Sequence, residues 1–200
     1  MEPVTTRIPG GPALRPLRPE DEPAVSRLLT DCDDYFVAAT GSTALPADVQ
    51  SLYYSLPDGA DFTRKHLLVL EHEDRPVGLV DAVEGHPDPA TCSVGLFLVG
   101  PHARGTGLAL RAARYLLQEA AARGTRRVTA TCPEGWTPGI AFLRRLDFDV
   151  RPTEPEPPAT VGNRLRRPQE RHLCTAVRIL TEQDADGADA APDRVEGGTP

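Results

Sequence analysis

The chain has 200 residues, of which 40% are hydrophobic, 26% charged and only 5% aromatic, with a formal net charge of −7. That length suits one domain able to bury a core without covalent staples, and no apolar run approaches the ~20 residues needed to span a bilayer. Six acids and one base between Thr181 and Pro200 place −5 of the charge in the tail and leave −2 on the body, which excludes the basic footprint of a nucleic-acid binder and a polybasic membrane signal. The N-terminus has no apolar signal region, so the expected location is the cytoplasm. Cys32, Cys92, Cys132 and Cys174 are far apart and form no CxxC pair. They read as reduced, buried thiols, and no metal is expected.

In chain order, residues 1–12 with Pro3, Pro9, Gly10, Gly11 and Pro12 read as a flexible lead-in. Ala13 to Leu17 predicts an edge-like strand, because Pro16 costs a ladder donor. Glu20-Asp21-Glu22-Pro23 marks a helix start, followed by Val25, Leu28, Leu29 and Cys32 at helical spacing. Val49, Leu52, Tyr53 and Leu56 repeat that spacing behind Pro46, and Pro57-Asp58-Gly59 ends the second helix. Lys65–Glu71, Val77–Glu84 and Thr91–Val99 predict an antiparallel meander. Leu108–Arg123 predicts a helix with Arg111, Arg114 and Gln118 on its polar stripe, closed by Gly124. A strand at Arg127–Cys132, a helix at Pro138–Leu146 and closing strands at Phe148–Arg151 and His172–Leu180 complete the domain of residues 13–180. Residues 152–171 read as a long loop and 181–200 as a disordered acidic tail. This order predicts an α/β fold with one mixed, mostly antiparallel sheet of about seven strands and helices on both faces. The Thr91–Val99 and Arg127–Cys132 strands, joined through a helix, should be parallel.

The segment Leu98-Val99-Gly100-Pro101-His102-Ala103-Arg104-Gly105-Thr106-Gly107-Leu108-Ala109 is the most informative. A strand ends, a glycine-bearing turn follows and a long helix begins. Amides at a helix start lack internal partners and carry partial positive charge. Glycines at 105 and 107 let a ligand approach the backbone closely, and Arg104 adds a cation. These features fit a pyrophosphate. A Rossmann site would need a third glycine where Leu110 stands, and the Walker Gly-Lys-Ser/Thr is missing. A coenzyme A fits the context better.

Arg104, Gly107 and Ala109, with Val99 and Pro101 before them, resemble the acetyl-CoA motif of the GNAT superfamily, Arg/Gln-x-x-Gly-x-Gly/Ala after a strand ending in Val-x-Pro. The similarity runs from about Leu14 to Leu180, and Gly85-His86-Pro87-Asp88 followed by Val94-Gly95-Leu96 resembles a bacterial subgroup with small or unassigned substrates. The resemblance implies a GNAT fold and an acetyl-CoA, or other short acyl-CoA, as co-substrate. Its pyrophosphate would be held by the amides of Gly105, Thr106, Gly107, Leu108 and Ala109 and by Arg104, and its pantetheine arm by the backbone of Leu98 and Val99. It also implies direct attack of an amine on the thioester. The family's usual Asn and Tyr positions hold Trp136 and Leu143 here, and the usual Gly before Phe148 is Asp147.

Because Leu143 cannot donate a proton, other groups are candidates for acid and base. Asp81 lies among apolar residues inside its strand, and Glu84 sits on the opposite strand face near His86. Tyr54 and Tyr35 are candidate phenols facing the acceptor, whereas Tyr53 fits the core stripe. His102 and Cys132 are weaker candidates, since no His or Asn partner for a nucleophilic Cys132 is evident. The expected activity is N-acetyl transfer to a small-molecule amine by a monomer or homodimer. A GNAT that binds acyl-CoA without turnover, and one that acylates a protein N-terminus or lysine, are the alternatives.

Overall fold

The structure, a computed structural model, describes residues 5–153 and 173–186. Eight strands form one sheet in the order β1-β2-β3-β4-β5-β6-β8-β7. They are β1 Thr6–Arg7, β2 Ala13–Pro16, β3 Lys65–His72, β4 Arg75–Glu84, β5 Thr91–Val99, β6 Arg127–Pro133, β7 Asp149–Pro152 and β8 Leu173–Ile179. Every pairing is antiparallel except β5 with β6, which is parallel, as the intervening helix required.

Period-two alternation decides which side chains meet which helices. On one face Val69, Leu79 and Leu98 pack under α1 (Glu22–Asp31), α2 (Asp33–Thr40) and α3 (Pro46–Tyr54), which contribute Val25, Leu28, Leu29, Phe36, Val49 and Leu52. On the other face Leu70, Val80 and Val99 pack against Leu108 and Ala112 of α4 (Leu108–Ala122). The far half of α4 meets Val128, Ala176 and Phe148, with Phe142 and Leu143 of α5 (Thr137–Arg145) packed alongside. Central β4 is therefore covered on both sides, and its run from Val77 to Asp81 is buried. Arg15 fastens β2 to the entry of α1: its guanidinium donates to both oxygens of Asp21 at 2.7 and 2.9 Å and to Glu71 at 2.8 Å.

Two irregularities shape the centre. Asp81 pairs with Leu96 but Ala82 pairs with Val94, so Gly95 is an extra residue in β5, a bulge. The bulge reverses the alternation, letting Ser93 and Leu96 face the α1–α3 side while Val94 faces α4. Second, the register of β5 with β6 runs from Thr91↔Arg127 to Val94↔Ala130 and then stops. β6 continues with β8 to Pro133. The two parallel strands thus part beyond Val94, leaving a slot that opens toward the C-terminal end of β5.

Several expectations change. The count of eight strands, one above that expected, comes from β1 within the segment read as a lead-in; Ile8 beside it is buried and Gly11 lies against its side chain. A break at Cys32, with φ −100° and ψ 31°, makes α2 a separate helix that hydrophobic spacing alone did not resolve. The short helix α6, Glu182–Asp186, stands inside the expected acidic tail, with Asp184 bonded to Arg178 at 2.6 Å. Most of the expected 152–171 loop, and the tail beyond residue 186, fall outside the described residues.

Candidate functional site

The loop after β5 descends through a 3-10 turn at Pro101–Ala103 into α4. Gly105 and Gly107 have φ of +77° and +85°, a region that favours glycine, and a Cβ on Gly105 would meet nothing within 4 Å. Thr106 Oγ donates to Ala103 O at 2.7 Å and accepts weakly from the Leu108 amide at 3.4 Å. The next amides of α4 lie in its first turn, where the helix supplies no carbonyl. The loop therefore offers open space, bare backbone and a positive dipole end, which suits the pyrophosphate of a coenzyme A.

Two arginines border this cradle. Arg104 is already engaged: its guanidinium pairs bidentately with Asp34 at 2.5 and 3.0 Å, and its Nε donates to Val99 O at 2.9 Å. It also lies 5.8 Å from the centre of the Trp136 ring, whose Nε1 donates to Asp34 at 3.2 Å. The Arg104 bond holds Asp34 below the usual carboxylate range. Arg111, one turn into α4, folds back so that its guanidinium lies 3.2 Å from where a Gly107 Cβ would stand, and it donates to Thr106 O at 3.4 Å. It is exposed and has no carboxylate partner among the described residues. Leu98 and Val99 are buried at the slot, and the Val99 carbonyl is the one that accepts from Arg104.

A cavity of about 540 Å³ runs from Gly105 and Ala109 along α4 into the slot, bordered by Tyr35, Trp136, Phe142 and Leu143. Phe97 stacks on Phe142 at 5.3 Å, and Tyr35 meets the Trp136 ring edge-on at 5.1 Å. Trp136 fits because α5 has a glycine beneath it: a Cβ on Gly139 would come within 2.2 Å of the ring. Leu143 packs in the apolar cluster with Leu146 and Phe148.

A second cavity, about 680 Å³, lies on the α1–α3 face and is bordered by Tyr54, Lys65, Asp81, Ser93, Thr129 and Thr175. Lys65, its side chain only 5% exposed, donates through its ammonium to Asp81 Oδ1 and Oδ2 at 2.7 and 2.8 Å and to Ser55 O at 2.7 Å. Burial pushes the Asp81 carboxyl above its ordinary value, and Lys65 opposes that rise without cancelling it. On the side of the bulge, the bare Gly95 leaves Asp81 approachable, since a Cβ there would stand 3.8 Å from Oδ2. The two cavities share Val94, Gly95, Ala130 and Thr131, the residues at which the strands part.

The remaining candidates are spread over the two cavities and the surface. Glu84 is on the α4 face, 3.2 Å from His66 and 3.7 Å from Arg123. Tyr54 is 77% exposed at the second cavity, whereas Tyr53 is half-buried with its hydroxyl donating to Arg18 O at 3.3 Å. Tyr35 is packed beside Trp136, and burial raises its phenol pKa. His102 is exposed on the 3-10 turn. Burial pushes the Cys132 thiol up to about 11, so it is protonated at neutral pH. All four cysteines are free, and among the described residues no His, Cys, Asp and Glu group could hold a metal ion. No helix of the described residues is long and apolar enough to cross a membrane.

Sequence reasoning missed Lys65, Asp34 and Arg111. Alternation carried a signal for the first, because Lys65 shares its strand face with Leu67 and Val69, and Leu67 is the register partner of Asp81. The Asp34–Arg104 pair spans 70 residues and had no local signal.

The family model for the acetyltransferase (GNAT) family matches residues 28–148. The chain belongs to that family, and is an N-acetyltransferase by membership. Solved structures share the fold. An acetyltransferase from Thermus thermophilus is 24% identical, with a TM-score of 0.61 over 84% of this chain and 96% of that one. A ribosomal-protein-alanine N-acetyltransferase from Brucella melitensis is 22% identical, with a TM-score of 0.56 over 84% and 99%. RimL, a ribosomal L7/L12 alpha-N-protein acetyltransferase solved with coenzyme A, is 15% identical, with a TM-score of 0.65 over 91% and 99%. The comparison with curated proteins gave no match.

Proposed function

We propose that this chain transfers an acetyl group from acetyl-CoA to an amine of a small molecule by direct attack. The meeting of two cavities at the parted strands carries this reading: one starts at the phosphate cradle, and the other holds a carboxylate. The amides of Gly105 to Ala109, together with Arg111, would hold the pyrophosphate. The pantetheine arm would enter the slot beside β5, bringing the thioester to Gly95. An amine in the second cavity would attack the thioester carbon. The new N–C bond forms as the C–S bond breaks, coenzyme A leaves as thiolate, and Asp81 takes the surplus proton from the nitrogen. A thiol is acidic enough, with a pKa of roughly 8.5, for its anion to leave unaided. Tyr54, the phenol bordering the second cavity, would assist it. Glu84 is left out of this assignment because its carboxylate is on the α4 face.

A coenzyme A binder without turnover is the second reading, favoured by Leu143 in the apolar cluster and by Trp136 bonded across the slot mouth to Asp34. Thiol release from acetyl-CoA against a panel of amines separates the two. As a base, Asp81 must be ionised, so its raised pKa places a rising limb of kcat/KM with pH above the ordinary carboxylate value of about 3.9. Asp81→Asn should lower kcat by about 100-fold and remove that limb. An unchanged profile would sink the assignment of Asp81, and saturable coenzyme A binding with no thiol release would favour the binder.

A further inference from the structure

We propose that the second cavity takes a small amine bearing hydroxyl groups, an amino sugar or amino alcohol, with its nitrogen at Asp81 and its hydroxyls on a row of Ser and Thr side chains. This names the acceptor class of the same site and rests on the acetyltransferase reading.

Three observations carry it. The first is the floor. Ser93, Thr129, Thr131 and Thr175 come from three neighbouring strands, and the registers Ser93↔Thr129 and Thr131↔Thr175 set them side by side. Adjacent strands are ~4.8 Å apart, and alternate residues on a strand ~6.6 Å apart, so the hydroxyls form a two-dimensional grid. Ser93 donates to His86 O at 2.8 Å and accepts from Thr129 at 3.3 Å, while Thr175 pairs with Thr153 at 2.8 Å. The Thr131 hydroxyl has no hydrogen bond among the described residues, so it can donate to and accept from an acceptor molecule.

The second is charge. Among the described residues Lys65 and Asp81 are the only charged ones bordering this cavity, and they neutralise one another. A polyamine would find one carboxylate, already opposed by an ammonium. An anionic acceptor would find a cation with no donor left, since Lys65 already donates to Asp81 Oδ1, Asp81 Oδ2 and Ser55 O. An apolar amine would strip water from the hydroxyls without replacing their bonds.

The third is the way in to the carboxylate. Gly95, with no side chain, leaves Asp81 Oδ2 open toward the thioester's expected place, so a neutral amine donating a hydrogen bond to it already faces the carbon it will attack. The amine nitrogen attacks the thioester carbon, the N–C bond forms as the C–S bond breaks, its surplus proton passes to Asp81 and coenzyme A departs as the thiolate. The acceptor's hydroxyls stay on the floor, away from the thioester.

The test measures kcat/KM with acetyl-CoA for glucosamine and serinol, against spermidine, phenethylamine and a peptide with an N-terminal Ala. Preference for a hydroxylated amine by at least about tenfold supports the proposal. Equal or better turnover of spermidine, phenethylamine or the peptide overturns it while leaving the acetyltransferase reading intact. Thiol release with none of them, despite coenzyme A binding, overturns both. Thr175→Val, which borders only the second cavity, should raise KM for the preferred hydroxylated amine about fivefold and leave KM for acetyl-CoA and for phenethylamine unchanged; equal shifts for all three contradict the floor's role. Thr129→Val, likewise bordering only the second cavity, gives the same readout should Thr175→Val not fold.

Discussion

At the scale of single residues, Asp147 shows how a departure from the family's pattern is tolerated. It follows α5 with φ +60°, the left-handed conformation that the usual glycine adopts freely. Aspartate bears that conformation better than most side chains, and here it is exposed. Asp147→Gly should therefore raise stability, by roughly 0.5–1 kcal/mol once the looser unfolded chain is counted. Urea denaturation checks it, and a lower midpoint would show that Asp147 makes a contact worth more than the strain. Trp136 and Gly139 form a matched pair in the same way, with the large ring at the usual Asn position seated over the one residue of α5 that leaves it room.

At the scale of elements, Lys65 joins two that carry the second cavity. Ser55, whose carbonyl it holds, closes α3 just after Tyr54, and Asp81 is mid-strand in β4. Lys65→Met would leave Asp81 buried without its counter-charge, raising its pKa further and moving the rising limb of the rate profile to higher pH. Removing one partner of a buried pair also costs about 3 kcal/mol. Lys65→Arg should restore part of both, and an unmoved pH profile in a folded Lys65→Met protein would reduce the lysine to a structural strut. Elements were the most legible part of the sequence. The strands from Lys65 to Val99, helix α4 and the parallel return to β6 all followed from alternation, helical spacing and the crossover. What escaped depended on long-range partners. The bulge at Gly95 is invisible until β4 and β5 are in register, and β1 exists only because β2 is beside it. Cys132 and Cys174, distant in sequence, turn out to be register partners on β6 and β8, although both remain thiols.

At the scale of the whole molecule, the sheet acts as a partition. The proposed donor cradle and the α4 cavity lie on one face, the Lys65–Asp81 cavity on the other, and the parted strands connect them. The glycine turn proposed to hold phosphate stood out in the sequence because its features are local: two glycines, a strand end and a helix start. The acceptor side was only partly readable, since Asp81 and Tyr54 stood out singly but their shared cavity needs α3, β4, β5, β6 and β8 assembled. The most direct measurement is a calorimetric titration of coenzyme A into the wild-type protein and Gly107→Glu, with thermal unfolding confirming that the variant is folded. A Glu side chain there would set an anion against the pyrophosphate and beside Arg111. The expected result is one-to-one saturable binding to the wild type and none to the folded variant. Equal affinity in both, or no binding to the wild type, would contradict it.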